Sequence, residues 1–237
     1  MPALSISAWG LSDDARARLT AAAGVPVADD GARKGGVLVF AGADRESFPG
    51  LLARGADRMI EWTGPAETVA AIRACREPPG LTLSLTTRAT YRILTGRMVG
   101  DLLVARGLLA GARAGAVAGA VQEALANAVI HGNLGIQDVP SGDPADFAAR
   151  HQAVARRIAE PEGLARRVTL TVSWTDATLT VAVRDDGAGY APPAAETPPG
   201  APATSGRGLT IMRQLALDAR SEDGGRVTVL TFARSAP

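Results

Sequence analysis

The chain has 237 residues, of which 46% are hydrophobic and 21% charged, and its formal net charge is +1 at pH 7. This composition is ordinary for a soluble globular protein, and the small charge without a basic block gives no reason to expect nucleic acid or an anionic membrane as partner. The single cysteine, Cys75, excludes an intrachain disulfide, and neither a signal peptide nor an apolar run of membrane-spanning length is present. We therefore expect a cytoplasmic protein.

Apolar runs alternate with helical patterns in the first third of the chain. Strands are predicted at 3–9, 36–42 and 57–62, and helices at 12–24 (capped by Ser12), 44–55 and 65–75. This alternation favours a small α/β unit with a parallel sheet. Two prolines and a glycine at 76–81 then interrupt helix and strand alike, which predicts two domains, 1–78 and 79–237.

The βα series of the first domain resembles the response-regulator receiver domain. A receiver needs acidic residues just after its first strand and an aspartate at the end of its third. Here "SAWGL" follows the first strand, and Asp44 lies too far beyond the strand 36–40. We expect a degenerate receiver-like docking domain without a phosphoacceptor.

The second domain begins with a predicted strand at 81–87, followed by helices at 88–106 and 112–131. Strands at 167–174 and 177–184 form a predicted hairpin, and a helix at 207–217 and a strand at 226–233 complete the domain. The order β, α, α, β, β, α, β predicts a two-layer α/β sandwich.

Two stretches interrupt this pattern. Within 134–167, Phe147, His151, Val154 and Ile158 have helical spacing, so the insertion is predicted to contain a helix on which His151 packs or forms an interface. The surrounding arginines are predicted to form a solvated face, with docking of an acidic partner as the alternative: Arg150, Arg156, Arg157, Arg166 and Arg167. Residues 190–205 are rich in Pro, Ala and Gly.

A polar stripe runs along the predicted helix 112–131. Glu123, Asn127 and His131 follow one another at intervals of four residues, so each lies about 40° from the last on the helix surface. The roughly opposite side is apolar and carries Val121, Leu125 and Val129. The apolar side can pack against a core while the polar stripe faces something else.

Two glycine-bearing segments follow. Asp185, Gly187 and Gly189 lie at the end of a predicted strand, and Gly206 and Gly208 lead into the helix 207–217. Glycine allows close backbone approach, and the free N–H groups of a helix start attract phosphate. A carboxylate can accept a hydrogen bond from an amine such as that of adenine, and an amide oxygen beside a carboxylate suits magnesium. Together these segments have the parts of a nucleotide site.

In this order, the segments resemble the GHKL superfamily of ATP-binding domains, which includes gyrase and the histidine kinases, over residues 81–235. Glu123 and Asn127, followed by "HGN", match its N box, and the two glycine-bearing segments match its glycine boxes. The sequence is most similar to the anti-sigma-factor serine kinases, with their E-A-x-x-N-A-x-x-H-G and G-R-G-L-x-x-M/I patterns. The resemblance implies the Bergerat-type ATP-binding fold, with ATP and Mg²⁺ as cofactors.

The resemblance also implies roles for individual residues. Glu123 would be the general base for phosphoryl transfer, Asn127 would hold magnesium on the phosphates, and Asp185 would bind the adenine amine. The other nucleotide-binding positions would be Gly187, Gly189, Gly206, Arg207, Gly208 and Leu209. Residues 190–205 would form the mobile lid over ATP. His131 and Asn133 are assigned supporting roles, His131 as a helix C-terminal histidine followed by Gly132 as C-cap.

Two functions stay open, and the sequence does not decide whether the protein is an enzyme. One is an anti-sigma-type protein serine kinase that phosphorylates or binds a regulatory protein of the anti-anti-sigma, sigma-factor or two-component type. The other is a non-catalytic ATP-sensing scaffold. No histidine precedes His131, which disfavours a classical sensor kinase, and Lys34, the only lysine, lies outside any Walker motif. A homodimer is compatible with either function.

Overall fold

The computed structural model describes residues 5–29, 35–42, 44–75, 80–136, 144–161, 165–189 and 207–234. The strands in these ranges are β1 (Ile6–Trp9), β2 (Val27–Asp29), β3 (Val37–Phe40), β4 (Arg58–Glu61), β5 (Leu81–Thr86), β6 (Arg167–Trp174), β7 (Thr178–Asp185), β8 (Asp218–Glu222) and β9 (Val227–Ala233). Within the described ranges they form one continuous sheet, in the order β2-β1-β3-β4-β5-β6-β7-β9-β8.

The helices in the same ranges lie on both faces of this sheet. They are α1 (Asp13–Ala23), α2 (Phe48–Leu52), α3 (Pro65–Ala74), α4 (Thr87–Ile93), α5 (Gly96–Ala105), α6 (Ala114–Asn127), α7 (Pro144–Ala159) and α8 (Arg207–Leu215). A π-helical segment, Ala128–Asn133, continues α6. None of the described helices is long and apolar enough to cross a membrane.

The first five strands are parallel, in the order β2-β1-β3-β4-β5 that is typical of doubly wound sheets. Helices α1 and α3 pack on one face through Leu19, Val69 and Ile72, whereas Phe48 and Leu51 of α2 belong to the core on the other face. The α/β alternation predicted for 1–78 is confirmed, and the sequence missed only the short edge strand β2. The likeness to a receiver domain stays a prediction.

Asp44 does not stand free at the end of β3. Its carboxylate oxygen Oδ1 accepts hydrogen bonds from the backbone N–H groups of Glu46 and Ser47 and from the Ser47 hydroxyl. Hydrogen bonds from Ser47 lower the pKa of Asp44. This carboxylate therefore stabilises its own turn.

The sheet crosses the predicted domain boundary without interruption. β5 pairs in parallel with β4 on one side and antiparallel with β6 on the other. The main hydrophobic core is equally continuous, since it contains Leu38 and Met59 from the first part of the chain together with Leu83 and Leu170 from the second. Residues 76–79 themselves lie outside the described range.

The last four strands complete an antiparallel half of the sheet. β6 and β7 form the predicted hairpin, with Leu170, Val172, Val181 and Val183 buried against α5, α6 and α8. On the opposite face, Thr169, Thr171 and Ser173 are partly exposed. The predicted two-layer sandwich is therefore confirmed for this half. The sequence missed β8, which pairs antiparallel with β9.

The single helix predicted for 88–106 is wrong, because the chain forms two helices there. Leu94 and Thr95 adopt extended backbone, and the Thr95 hydroxyl accepts a hydrogen bond from Met98 N–H to start α5. The Gln122 side chain accepts from Gly96 N–H, 2.9 Å away. Contacts with α6, rather than local propensity, fix this break.

Gly96 lets α5 cross α6 at close range. A Cβ atom at this position would lie 2.0 Å from the Ala118 carbonyl oxygen and 2.7 Å from the Gln122 nitrogen, both backbone atoms. We expect Gly96→Ala to lower the free energy of unfolding by about 1 to 3 kcal/mol, measured by urea denaturation. Gly115→Ala on α6 is the control, because a Cβ there meets nothing within 4 Å. Equal stability of the two variants would contradict the prediction.

The insertion contains the predicted helix. Val154 and Ile158 of α7 are buried, whereas His151 is exposed and does not share their packing. Arg156 and Arg157 are exposed as predicted. The side chains of Phe147 and Arg150, like Lys34 and the proposed lid 190–205, lie outside the described parts of the structure.

Candidate functional site

Helix α6 presents the predicted polar stripe at the surface of the main core. Val121, Leu125 and Val129 are buried in that core, as predicted. Glu123 and Asn127 lie one turn apart on another side of the helix and are partly buried. The first part of the stripe therefore faces a neighbouring element rather than open solvent.

That neighbour is the start of α8. A Cβ atom added to Gly208 would lie 2.9 Å from Oε2 of Glu123, 3.6 Å from Nδ2 of Asn127 and 3.7 Å from its Oδ1. The Gly208 backbone can approach these two polar groups because it has no side chain. The N box and the second glycine box, about 80 residues apart in sequence, thus meet at the first turn of a helix, where free N–H groups favour anions.

The end of the polar stripe departs from the prediction. Gly132 was expected to cap the helix, but α6 continues as a π-helix through Asn133, and the left-handed glycine is Gly135, with φ of 60°. His131 Nδ1 lies 2.7 Å from the Ile136 carbonyl oxygen. π-helical turns occur frequently at functional sites, and this one turns Gly132 towards Asp185.

Gly132 and the first glycine box pack with almost no space between them. A Cβ atom on Gly132 would lie 2.4 Å from Cγ of Asp185, and one on Gly187 would lie 2.2 Å from the Gly132 carbonyl oxygen. Gly189 has φ of 80°, and its Cβ would lie 2.3 Å from the Gly224 carbonyl oxygen. These glycines are required by close approach of backbone to backbone and carboxylate.

Asp185 is a buried carboxyl at the end of β7, with only 5% of its surface exposed. Its Oδ1 accepts a hydrogen bond from Gly187 N–H at 2.9 Å. Burial, with a smaller contribution from the charge of Asp186, raises the pKa of Asp185 to about 6, against the lowering effects of the Gly187 hydrogen bond and of the charges of Arg226 and Arg184. Among the described residues, no cationic side chain lies within hydrogen-bond distance of this carboxylate. Its Oδ1 accepts from Gly187 N–H, so its Oδ2 is available to a ligand donor.

Asn133 is 1% exposed, and its side chain holds three segments together. Its amide nitrogen donates to Thr87 Oγ1 (2.8 Å) and to the Arg167 carbonyl oxygen (2.9 Å), and its Oδ1 accepts from Asp186 N–H (2.8 Å). Both N–H donors of its amide and one of the two lone pairs of Oδ1 are therefore used internally. The supporting role of Asn133 in a nucleotide site stays a prediction, and these hydrogen bonds are compatible with it.

The prediction that Arg166 and Arg167 form a solvated face is wrong. Both are partly buried, and Arg166 donates through Nη1 to the Asn133 carbonyl oxygen. Arg167 donates through its side chain to Thr63, Ser84 and the Glu61 carbonyl oxygen. No sequence pattern indicates these contacts, because an arginine before an alternating strand does not reveal which distant groups it meets.

A family model described as the histidine kinase-like ATPase domain matches residues 88–233. This range is more than half of the chain and contains the N box and both glycine boxes. The chain belongs to the histidine kinase-like ATPase family. No curated protein matches the sequence.

Histidine kinase-like ATPase domains bind ATP, and the geometry brings together the parts that this requires. Glu123, Asn127 and Gly208 form one end of the site, and Gly132, Asp185 and Gly187 form the other. Leu209 is partly buried and packs against the main core. Gly206 and the side chain of Arg207 lie outside the described residues. The first 87 residues precede the match to the ATPase family.

Proposed function

We propose that the protein is an ATP- and Mg²⁺-dependent serine kinase of the anti-sigma-factor type, acting on a small regulatory partner protein in the cytoplasm. The observation that carries this proposal is the position of the Glu123 carboxylate, beside Asn127 and against the backbone of Gly208. Binding of nucleotide alone does not require a carboxylate base at the helix start where phosphate is expected. Phosphoryl transfer to a hydroxyl group does.

Each side chain has a specific task in this proposal. Asp185 accepts the amine of adenine through Oδ2, since its Oδ1 is occupied by Gly187 N–H. Asn127 Oδ1 would hold Mg²⁺ on the phosphates, and Glu123 takes the proton of the attacking hydroxyl. The Asn127 side chain fits this hard cation, because its amide oxygen is a ligand of the kind that Mg²⁺ prefers and lies beside the Gly208 backbone at the start of α8, where phosphate is favoured. Bound Mg²⁺ would neutralise phosphate charge during transfer.

One observation favours a second candidate, the non-catalytic ATP-sensing scaffold. The N-terminal strands share the sheet and main core of the ATPase half, so they are placed to respond to nucleotide as well as to dock a partner. In this candidate, ATP binding changes partner affinity, and Glu123 contributes only to the electrostatics of the site.

The two candidates differ in one measurable product. We expect purified protein, radiolabelled ATP and Mg²⁺ to label a candidate partner of the anti-anti-sigma type encoded nearby. Clear ATP binding with neither labelled partner nor hydrolysis would reject the kinase and leave the scaffold.

Asn127→Ala tests the site itself. We expect the substitution to weaken Mg²⁺-dependent ATP binding about tenfold or more, because the amide oxygen on the metal is lost. Gln152→Ala, at an exposed position on α7, is the control and should bind like the wild type. Unchanged Mg²⁺-dependent affinity of Asn127→Ala, measured by calorimetry, would reject the assigned role.

A further inference from the structure

Arg167 is the first residue of β6, and its side chain reaches across β5 to the end of β4. Nε donates to the Ser84 hydroxyl (2.9 Å), and Nη2 donates to the carbonyl oxygens of Ser84 (2.8 Å) and Glu61 (3.0 Å). Nη1 donates to the Thr63 hydroxyl (3.2 Å). One guanidinium therefore holds the starting point of β6 against residues that precede the match to the ATPase family.

The main-chain groups of Arg167 form hydrogen bonds on the side of the candidate nucleotide site. Its N–H donates to Oδ2 of Asp186 at 2.8 Å, and its carbonyl oxygen accepts from the Asn133 amide at 2.9 Å. Asp186 N–H in turn donates to Asn133 Oδ1. Both the backbone and the side chain of Asp186 are thus fixed by hydrogen bonds. Asp186 lies between Asp185 and Gly187, whose N–H orients the Asp185 carboxylate.

A second link starts from the same end of β4. The Glu61 carboxylate accepts from Thr86 N–H at 2.6 Å, and the next residue, Thr87, accepts from the Asn133 amide through Oγ1. Burial lowers the pKa of the Arg167 guanidinium, and the nearby Glu61 carboxylate raises it. Two hydrogen-bonded routes therefore join β4 to Asn133 and Asp186.

We propose that Arg167 is a positioning residue of the nucleotide site, through which the end of β4 fixes the turn that carries Asp185. This inference rests on the proposed role of Asp185 in binding adenine. Its consequence is that the N-terminal strands set the discrimination between purine bases, although none of their residues belongs to the site. Coupling free energies are reciprocal, so a change at the end of β4 that alters nucleotide affinity is itself favoured or disfavoured by nucleotide binding by the same free energy.

The test is the preference for ATP over GTP, measured by competition with a fluorescent ATP analogue on the full chain. Guanine presents a carbonyl oxygen where adenine presents its amine, so a well-placed Asp185 carboxylate rejects GTP. We expect Arg167→Met to reduce this preference about tenfold, and Arg167→Lys to restore part of it, because an ammonium group can still donate to a carbonyl oxygen. A lower fraction of folded protein would reduce both affinities alike and leave their ratio unchanged.

Arg106→Met is the matched control. Arg106 also ties the two parts of the chain together, donating through Nη2 to the Ala56 carbonyl oxygen (2.9 Å) and pairing with Asp57, but it lies on the far end of α5. The substitution Arg106→Met should lower thermal stability without changing the preference for ATP over GTP. If Arg167→Met does not fold, Thr63→Val removes one of the Arg167 bonds at an exposed position, and a reduction of about twofold is expected.

The outcomes distinguish the adenine role of Asp185 from the positioning role of Arg167. Wild-type protein that binds ATP and GTP equally would refute both the adenine role of Asp185 and the positioning role of Arg167 that rests on it. If the wild type prefers ATP and a folded Arg167→Met variant keeps the full preference, only the inference is overturned. An equal loss of preference in Arg106→Met would also overturn it, because general loosening of the sheet would then explain the effect.

Discussion

Replacing Asp185 with asparagine is expected to stabilise the nucleotide-free protein at pH 7.5 while weakening ATP binding. Burial raises the pKa of this carboxyl from 3.8 to about 6, so the native state binds the proton more tightly than the unfolded chain does. The cost of the buried charge is absent below pH 4, develops as the pH rises from about 4 to 6, and is complete above 7. Asparagine removes this cost, which amounts to about 2 to 3 kcal/mol.

The same substitution should cost affinity because of the hydrogen bond from Gly187. Asparagine keeps its Oδ1 on Gly187 N–H, and its Nδ2, a donor, then faces the adenine amine, which is also a donor. We expect ATP binding to weaken on the order of a hundredfold. The same carboxylate is thus expected to lower the free energy of unfolding and to strengthen ATP binding.

Urea denaturation at pH 4.5, 5.5 and 7.5, with calorimetric titration of ATP, measures the two effects. The stability difference between variant and wild type should grow across this pH range. Asp176→Asn, in the exposed hairpin turn, is the control and should show no such growth. A variant that is less stable than the wild type at pH 7.5 would contradict the prediction.

Glu123→Gln is expected to separate binding from transfer. The amide keeps the size of the side chain against Gly208 but cannot take a proton, so transfer to a partner hydroxyl should fall about 10² to 10⁴-fold. The ATP dissociation constant should change by less than about threefold, since the base is needed only in the transition state.

Single-turnover transfer of labelled phosphate to the partner measures this change, with ATP affinity determined in parallel. Glu160→Gln, at the end of the insertion helix, is the control and should transfer at the wild-type rate. Transfer by Glu123→Gln within a few-fold of the wild type would show that another group, or none, acts as base.

Much of the site was predictable because its chemistry is carried by local spacing. Glu123 and Asn127 recur at the helical period, and the glycines mark positions where backbone must approach closely. The sequence also predicted the β6–β7 hairpin, since alternation of apolar residues directly reflects the burial of one face.

The remainder depends on contacts that sequence spacing does not contain. The strand β8, with the sequence DARSE, lacks apolar alternation and pairs only because β9 offers it an edge. The break at Leu94 and Thr95 is set by Gln122 from another helix. Arg167 binds two main-chain carbonyl oxygens, which carry no residue identity, and two hydroxyl groups of residues more than 80 positions away, so no local pattern could indicate its partners.

The pairing of β5 on both sides limits how the protein can be divided. Every residue of β5 is buried, and its sequence, LTLSLT, alternates threonine or serine with leucine. A fragment starting at residue 79 would leave this strand with a row of unpaired backbone groups and an uncovered apolar surface, the features that promote edge-to-edge aggregation. We therefore expect such a fragment to be less soluble than the full chain, because the strands before residue 79 cover this edge of the sheet.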